Sequence, residues 1–254
     1  MPQLRARKAA PAHGSGKKRG LAPSPSSALA PLPPSSPALA PARPPNNGSW
    51  ARAGSSLLFF SKGEPAGELG TGLWEEDLGA GLIERRTADG ETSRDGRFAW
   101  HWVRIQSVRR TRTDSVLAST STLNYYGTSG KVLWTQEDAD APAESVPAIL
   151  SDNGETILAF SRKGRAWMLT VYSFTGNPRM ELSLGERVTH AQLSPNGRFA
   201  FAAWSMQDGP LRLSFLDIEL SERRDIPVQD LPLSRLRVFD DGTLRADGRI
   251  LLKP

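Results

Sequence analysis

The chain has 254 residues, 38% of them hydrophobic, a net charge of +5 and no cysteine. Its length allows one large domain or two small ones, and the low apolar share implies a part that does not pack into a core. The missing cysteines exclude disulfides, thiolate metal sites and cysteine nucleophiles without choosing a compartment.

The charge is unevenly placed. Residues 1–63 hold nine basic residues and no acidic one, whereas residues 64–254 hold 23 basic against 27 acidic, a net charge of −4. A nucleic-acid-binding domain carries its positive charge on a folded face. The body therefore does not read as such a binder, and only the tail could tether it to nucleic acid or acidic lipid. Arginine outnumbers lysine 25 to 7. A GC-rich coding sequence produces that bias, so single arginines carry little weight.

Residues 1–50 read as a disordered, basic tail rich in Pro, Ala and Ser. Prolines at 23, 25, 31, 33, 34 and 37 break any compact apolar core of an export signal. No run approaches the roughly 18 apolar residues that a membrane span needs. The expected location is cytoplasmic, or periplasmic or secreted if the natural start lies elsewhere.

From residue 51 to 254 the expectation is an all-β domain. Ser55–Phe60 reads as a strand, and Gly63–Gly81 is glycine-rich with a poor pattern. Then a repeat begins. Ser93, Asp95 and Gly96, then Ser151, Asn153 and Gly154, then Ser194, Asn196 and Gly197 share the pattern Ser-x-[Asp/Asn]-Gly. Each precedes an alternating apolar run: Phe98, Trp100 and Trp102; Thr156, Leu158 and Phe160; Phe199, Phe201 and Ala203. Such a corner closes a hairpin, since glycine accepts the left-handed conformation the turn requires. The glycines lie 58 and then 43 residues apart, and a degenerate copy, Phe239-Asp-Asp-Gly242, lies 45 further on. A second mark, Gly130 and Gly176, recurs after 46 residues between the expected third and fourth strands, and Leu220–Arg224 takes that place in the next unit.

A period of about 43–46 residues with four short strands per unit is the signature of propeller blades. Residues 92–254 resemble the WD40-like and TolB-like propeller repeats, whose first hairpin commonly carries this Ser-Pro-Asp-Gly type of corner. The Trp-Asp and Gly-His pairs of WD40 blades are missing. A β-sandwich would share the hairpins but not the recurrence in sequence. The expected fold is a propeller-like array of about four antiparallel four-stranded blades, open or incomplete, with units near 51–91, 92–145, 146–187, 188–230 and a partial 231–254. Runs such as Phe199–Trp204, apolar on both faces, suit sheets covered from two sides. The last unit is expected to hold two strands.

No catalytic constellation emerges. Of the histidines, His13 is in the tail, His190 is on a predicted strand, and His101 points away from Trp100 and Trp102. Gly14-Ser-Gly-Lys17 lacks the spacing of a phosphate loop, and Asp240, Asp241 and Asp247 fit turns better than a calcium loop. No metal or other cofactor is expected. The 58-residue spacing implies an inserted loop between Arg104 and Ser121, and its Arg104, Arg109, Arg110 and Arg112 are candidate contacts for a phosphate, a carboxylate or an acidic partner. The leading expectation is a non-catalytic module binding a protein or peptide, with self-association through open blade edges a further outcome. The alternatives are a propeller-type hydrolase or lyase drawing on acids such as Asp114, Asp152, Asp208, Asp217 and Asp241, and a propeller that senses a small ligand in the cell envelope.

Overall fold

The computed structural model describes residues 48–142, 146–207, 209–228 and 233–253. The tail expected at residues 1–50 therefore lies almost wholly outside the described residues. Within them the only helical element is a short 3-10 turn, Leu233–Arg235, and no helix is long and apolar enough to cross a membrane.

The strands form five antiparallel sheets in chain order. The first holds β1 (Ser49–Ala53), β2 (Ser56–Ser61) and β3 (Glu64–Gly70). The second holds β4 (Gly72–Gly79), β5 (Leu82–Thr92), β6 (Ala99–Arg109), β7 (Ser115–Tyr126) and β8 (Val132–Glu137). The third comprises β9 (Ala148–Leu150), β10 (Thr156–Lys163), β11 (Ala166–Ser173) and β12 (Pro178–Ser183). The fourth comprises β13 (Arg187–Leu193), β14 (Phe199–Ser205), β15 (Arg212–Asp217) and β16 (Glu222–Pro227). The fifth has β17 (Leu236–Val238), β18 (Leu244–Ala246) and β19 (Arg249–Leu252). The fold is all-β, with four-stranded antiparallel sheets that resemble propeller blades.

The repeated corner has a physical cause. In each copy the serine Oγ–H donates to the Asp or Asn Oδ1 two residues on, at 2.7, 2.7 and 2.8 Å. That oxygen accepts the N–H of Arg97, Glu155 or Arg198, while the serine Oγ accepts the N–H of Phe98, Thr156 or Phe199. The glycine between them adopts φ of +71°, +71° and +76°, a region costly for any residue with a Cβ. Every polar residue of the motif thus satisfies a backbone group that the tight turn leaves without a ladder partner.

The corners also link neighbouring sheets. Trp50 N–H donates to Gly96 O at 2.7 Å, Arg94 N–H to Asp152 O at 3.0 Å, and Asp152 N–H to Pro195 O at 2.8 Å. Asn196 N–H continues the series to Asp240 Oδ1 at 2.8 Å. Between the corners lie the cores. Trp50, Leu57 and Phe59 meet Ala99 and Tyr126. Trp100, Trp102 and Leu123 meet Ile157 and Ala159, while Leu158 and Phe160 turn the other way onto Ala200, Ala202 and Trp204. Phe199, Phe201 and Phe215 meet Leu236 and Leu244. Adjacent residues of β10 therefore serve different interfaces, which is why this strand reads as a continuous apolar run. No core cluster joins the fifth sheet to the first among the described residues.

Three expectations need correction. The unit expected at 51–91 is divided: β1–β3 form their own sheet, and β4 and β5 join the strands of 92–145. Local hairpin closure at Gly79–Gly81 decides this, because β4 pairs with β5 from Gly72↔Ala88 to Gly79↔Leu82. The inserted loop between Arg104 and Ser121 is mostly strand, since β6 runs on to Arg109 and β7 starts at Ser115. The last unit has a third strand as well, because Asp247 (φ +48°) and Gly248 (φ +78°) form the two-residue hairpin turn that joins β18 to β19.

Candidate functional site at the extended end of the second sheet

Strands β5, β6 and β7 have 11, 11 and 12 residues, whereas no strand of the third or fourth sheet exceeds eight. Sheet-to-sheet packing uses only the half that holds Trp100, Trp102, Leu123 and Tyr125. The other half, with β4 along its edge, extends beyond the core clusters. Its end is tied together by charge. Arg85 bonds Glu75 at 2.8 Å and Asp114 at 2.9 Å, and Arg110 bonds the other oxygen of Glu75 at 2.7 Å. The two carboxylates hold the Arg85 guanidinium above its ordinary pKa. Arg110 N–H also donates to Gly81 O at 2.7 Å, joining the two turns at this end.

The four arginines singled out in the sequence have separate fates. Arg104 is partly buried, lies over the Trp102 ring at 4.8 Å and is ion-paired with Asp140, and burial lowers its pKa. It is committed to structure. Arg110 is engaged by Glu75. Arg109 and Arg112 are exposed, and neither makes an ion pair among the described residues. Five large apolar side chains of β4, β6 and β7 are 38–61% exposed, with Leu78, Val116 and Leu117 near the Arg109 end, and Leu73 and Ile105 farther along on opposite faces of the sheet. Sequence reasoning missed Leu73 and Leu78 because Gly63–Gly81 has no strand-like pattern. The run Leu73-Trp-Glu-Glu-Asp-Leu78 does not alternate and offered no strand signal.

The remaining candidates are dispersed. The corner residues Ser93, Asp95, Gly96, Ser151, Asn153, Gly154, Ser194, Asn196 and Gly197 close hairpins, as described above. His101 Nε2–H donates to Gly70 O at 2.8 Å, pinning β3 to the second sheet, and burial lowers its pKa. The acids considered for catalysis have unrelated partners: Asp114 pairs with Arg85, Asp152 with Arg94, Asp217 with Arg198, and Asp241 bonds Thr243. Asp208 lies outside the described residues. Among the described residues no three His, Asp or Glu side chains are placed to hold a metal ion.

A second feature is a cavity of about 230 Å³ on the fourth sheet, lined by Arg198, Phe215, Asp217, Leu220, Glu222 and Arg224. Arg198 bonds Asp217 at 3.3 Å and Glu219 at 2.9 Å, and Arg224 lies 3.5 Å from Glu222. Its charges are thus largely compensated within the lining.

No family model matches the chain, and no curated protein sequence matches it. Among solved structures it is similar to hydrazine synthase from Kuenenia stuttgartiensis, with a TM-score of 0.38 and 11% identity over 76% of this chain and 67% of that one. It is also similar to TolB from Acinetobacter baumannii, with a TM-score of 0.32 and 11% identity over 77% of this chain and 58% of that one. These are distant likenesses to β-propeller proteins.

Proposed function

We propose that the protein is a non-catalytic interaction module that binds a protein or peptide partner, with the extended end of the second sheet as its docking surface. The observation that supports this reading is the exposure of Leu78, Val116 and Leu117 at the same end of the sheet as the unpaired Arg109 and Arg112. Exposed apolar residues on a rigid strand platform mark contact surfaces. The two guanidinium groups add a preference for carboxylates on the partner. The Ser-x-[Asp/Asn]-Gly corners support reading residues 92–254 as repeats of the WD40-like and TolB-like type.

The test is affinity capture from native extract with quantitative mass spectrometry. A partner at near-equal stoichiometry should be recovered by the native chain and by Arg224→Glu. It should be lost by Arg109→Glu/Arg112→Glu and by Leu78→Ser/Leu117→Ser. Retention by both altered ends would remove this surface from consideration.

A further inference from the structure

We propose that the free edge of β7, residues 115–120, pairs antiparallel with the same edge of a second copy of this chain. The proposal rests on the reading of this end of the second sheet as a docking surface, and it names the occupant.

The two halves of β7 differ in their cover. β7 has 12 residues and β8 has six. β8 lines the outer edge of β7 only from Thr122↔Glu137 to Tyr126↔Val132, and Asp138 N–H donates to Ser121 O at 2.9 Å where that cover stops. From Ser115 to Thr120 the inner edge pairs with β6, the outer edge has no partner among the described residues, and every residue is exposed.

Exposed strand edges are commonly guarded by charge or proline. β4, at the far edge of the same sheet, carries Glu75, Glu76 and Asp77, and β12 begins at Pro178 and carries Arg179 and Glu181. Ser115-Val-Leu-Ala-Ser-Thr120 has neither charge nor proline. A two-fold axis sets an edge against itself, so an acidic edge repels its copy and an uncharged one does not. β7 therefore accepts self-pairing and β4 resists it.

Charge at the two ends of the free edge selects the occupant. The loop at 110–114 holds Arg112 at one end, and Glu137 and Asp138 lie at the other, where β8 stops. All three are exposed, and none makes an ion pair among the described residues. Antiparallel pairing runs the loop of each copy toward the β8 end of the other, so Arg112 approaches Glu137 and Asp138 twice, once on each side of the axis. The added strand also satisfies the outward N–H and C=O groups of the edge.

Sedimentation equilibrium of the full chain should show a reversible monomer–dimer equilibrium, with amide exchange in 115–120 slowing as the dimer fills. Ser119 shares the outward backbone direction of Ser121, so Ser119→Pro removes an edge N–H and spares the ladder to β6. Ser119→Pro, Arg112→Glu and Glu137→Arg should each weaken dimerisation about tenfold or more. An equimolar mixture of Arg112→Glu and Glu137→Arg should recover it, because each copy then meets the opposite charge at both ends, which a folding defect would not allow. A chain that stays monomeric overturns the proposal. So does a dimer indifferent to Arg112→Glu, a mixture that fails to associate, or protection confined to another strand. A monomer that still captures a different protein through Arg109 and Arg112 overturns the proposal and leaves the docking reading standing, whereas loss of both removes the two together.

Discussion

Glycine at the corner between β9 and β10 is held by two independent constraints. Gly154 has φ of +71°, and an added methyl group would overlap the Phe98 ring of the second sheet. Gly164 has φ of +65° with open space around it. Gly164→Ala should therefore cost about 1 kcal/mol from backbone strain alone. Gly154→Ala should cost about 1–3 kcal/mol more from overpacking. Urea midpoints measure both, and equal losses would show that the Phe98 contact does not matter. Polar residues in the core are equally committed. Trp204 Nε1–H donates to Ser214 Oγ at 2.8 Å, and Ser214 Oγ–H donates to Asp225 at 2.7 Å. Ser214→Ala leaves that indole N–H unsatisfied and should destabilise by about 1–3 kcal/mol.

His101 gives the residue scale its pH dependence. Burial, the largest cause, and the nearby Arg86 hold its imidazole below the ordinary value of 6.5, against the opposing effects of Gly70 O and Asp89. His190 is lowered by burial and by Arg237. The unfolded chain takes up these protons near 6.5, whereas the folded chain does so only at lower pH. Stability is therefore fully present above about pH 6.5 and declines as pH falls toward the folded values. Thermal midpoints between pH 7 and 5 should show this decline, and it should be smaller in His101→Gln. An unchanged slope would show that His101 does not titrate differently on folding.

At the scale of elements, the position two after the corner glycine lies beneath the next corner: an added Cβ on Gly154 would meet the Phe98 ring, as one on Gly197 would meet Thr156. Phe98 and Phe199 occupy the positions that correspond to Thr156, where an added Cβ on Gly197 would lie 2.6 Å from Oγ1. The neighbouring corner sits directly over Thr156, which is 2% exposed. Restoring the pattern with Thr156→Phe should therefore destabilise by about 1–3 kcal/mol. Gain of stability would mean that the corner has room to move. The corners, the turn marks at Gly130 and Gly176, and the opposite orientations of His101 and Trp100 were legible in the sequence, because each follows from turn chemistry or from alternation. The role of β4 was not. Its residues are exposed and its pairing with β5 depends on a short turn, so no buried face leaves a period in the sequence. Of the arginines, sequence spacing located the group but could not separate Arg104, held by Asp140, from Arg109 and Arg112. That distinction depends on a residue 36 positions away in the chain.

At the scale of the molecule, the core clusters among the described residues run in series, each joining one sheet to the next. Such stacks lose stability at their ends first, because an end sheet is covered on one face. The third sheet is covered on both, with Ile157, Leu158, Phe160, Leu169 and Val171 all fully buried. Native-state hydrogen exchange should find β10 and β11 slowest, with β1–β3 and β17–β19 opening earlier. Uniform protection across all sheets would show a single cooperative unit instead.

The hairpin corners, the strands that follow them and the repeating four-stranded sheet were determined by the sequence itself, because turn chemistry and alternation act within a few residues. Tertiary structure alone decided that β4 and β5 join the second sheet, which arginines stay unpaired, and that Phe215 and Arg224 border a cavity. These outcomes depend on what a neighbouring sheet covers, and covering is a contact between residues far apart in the chain.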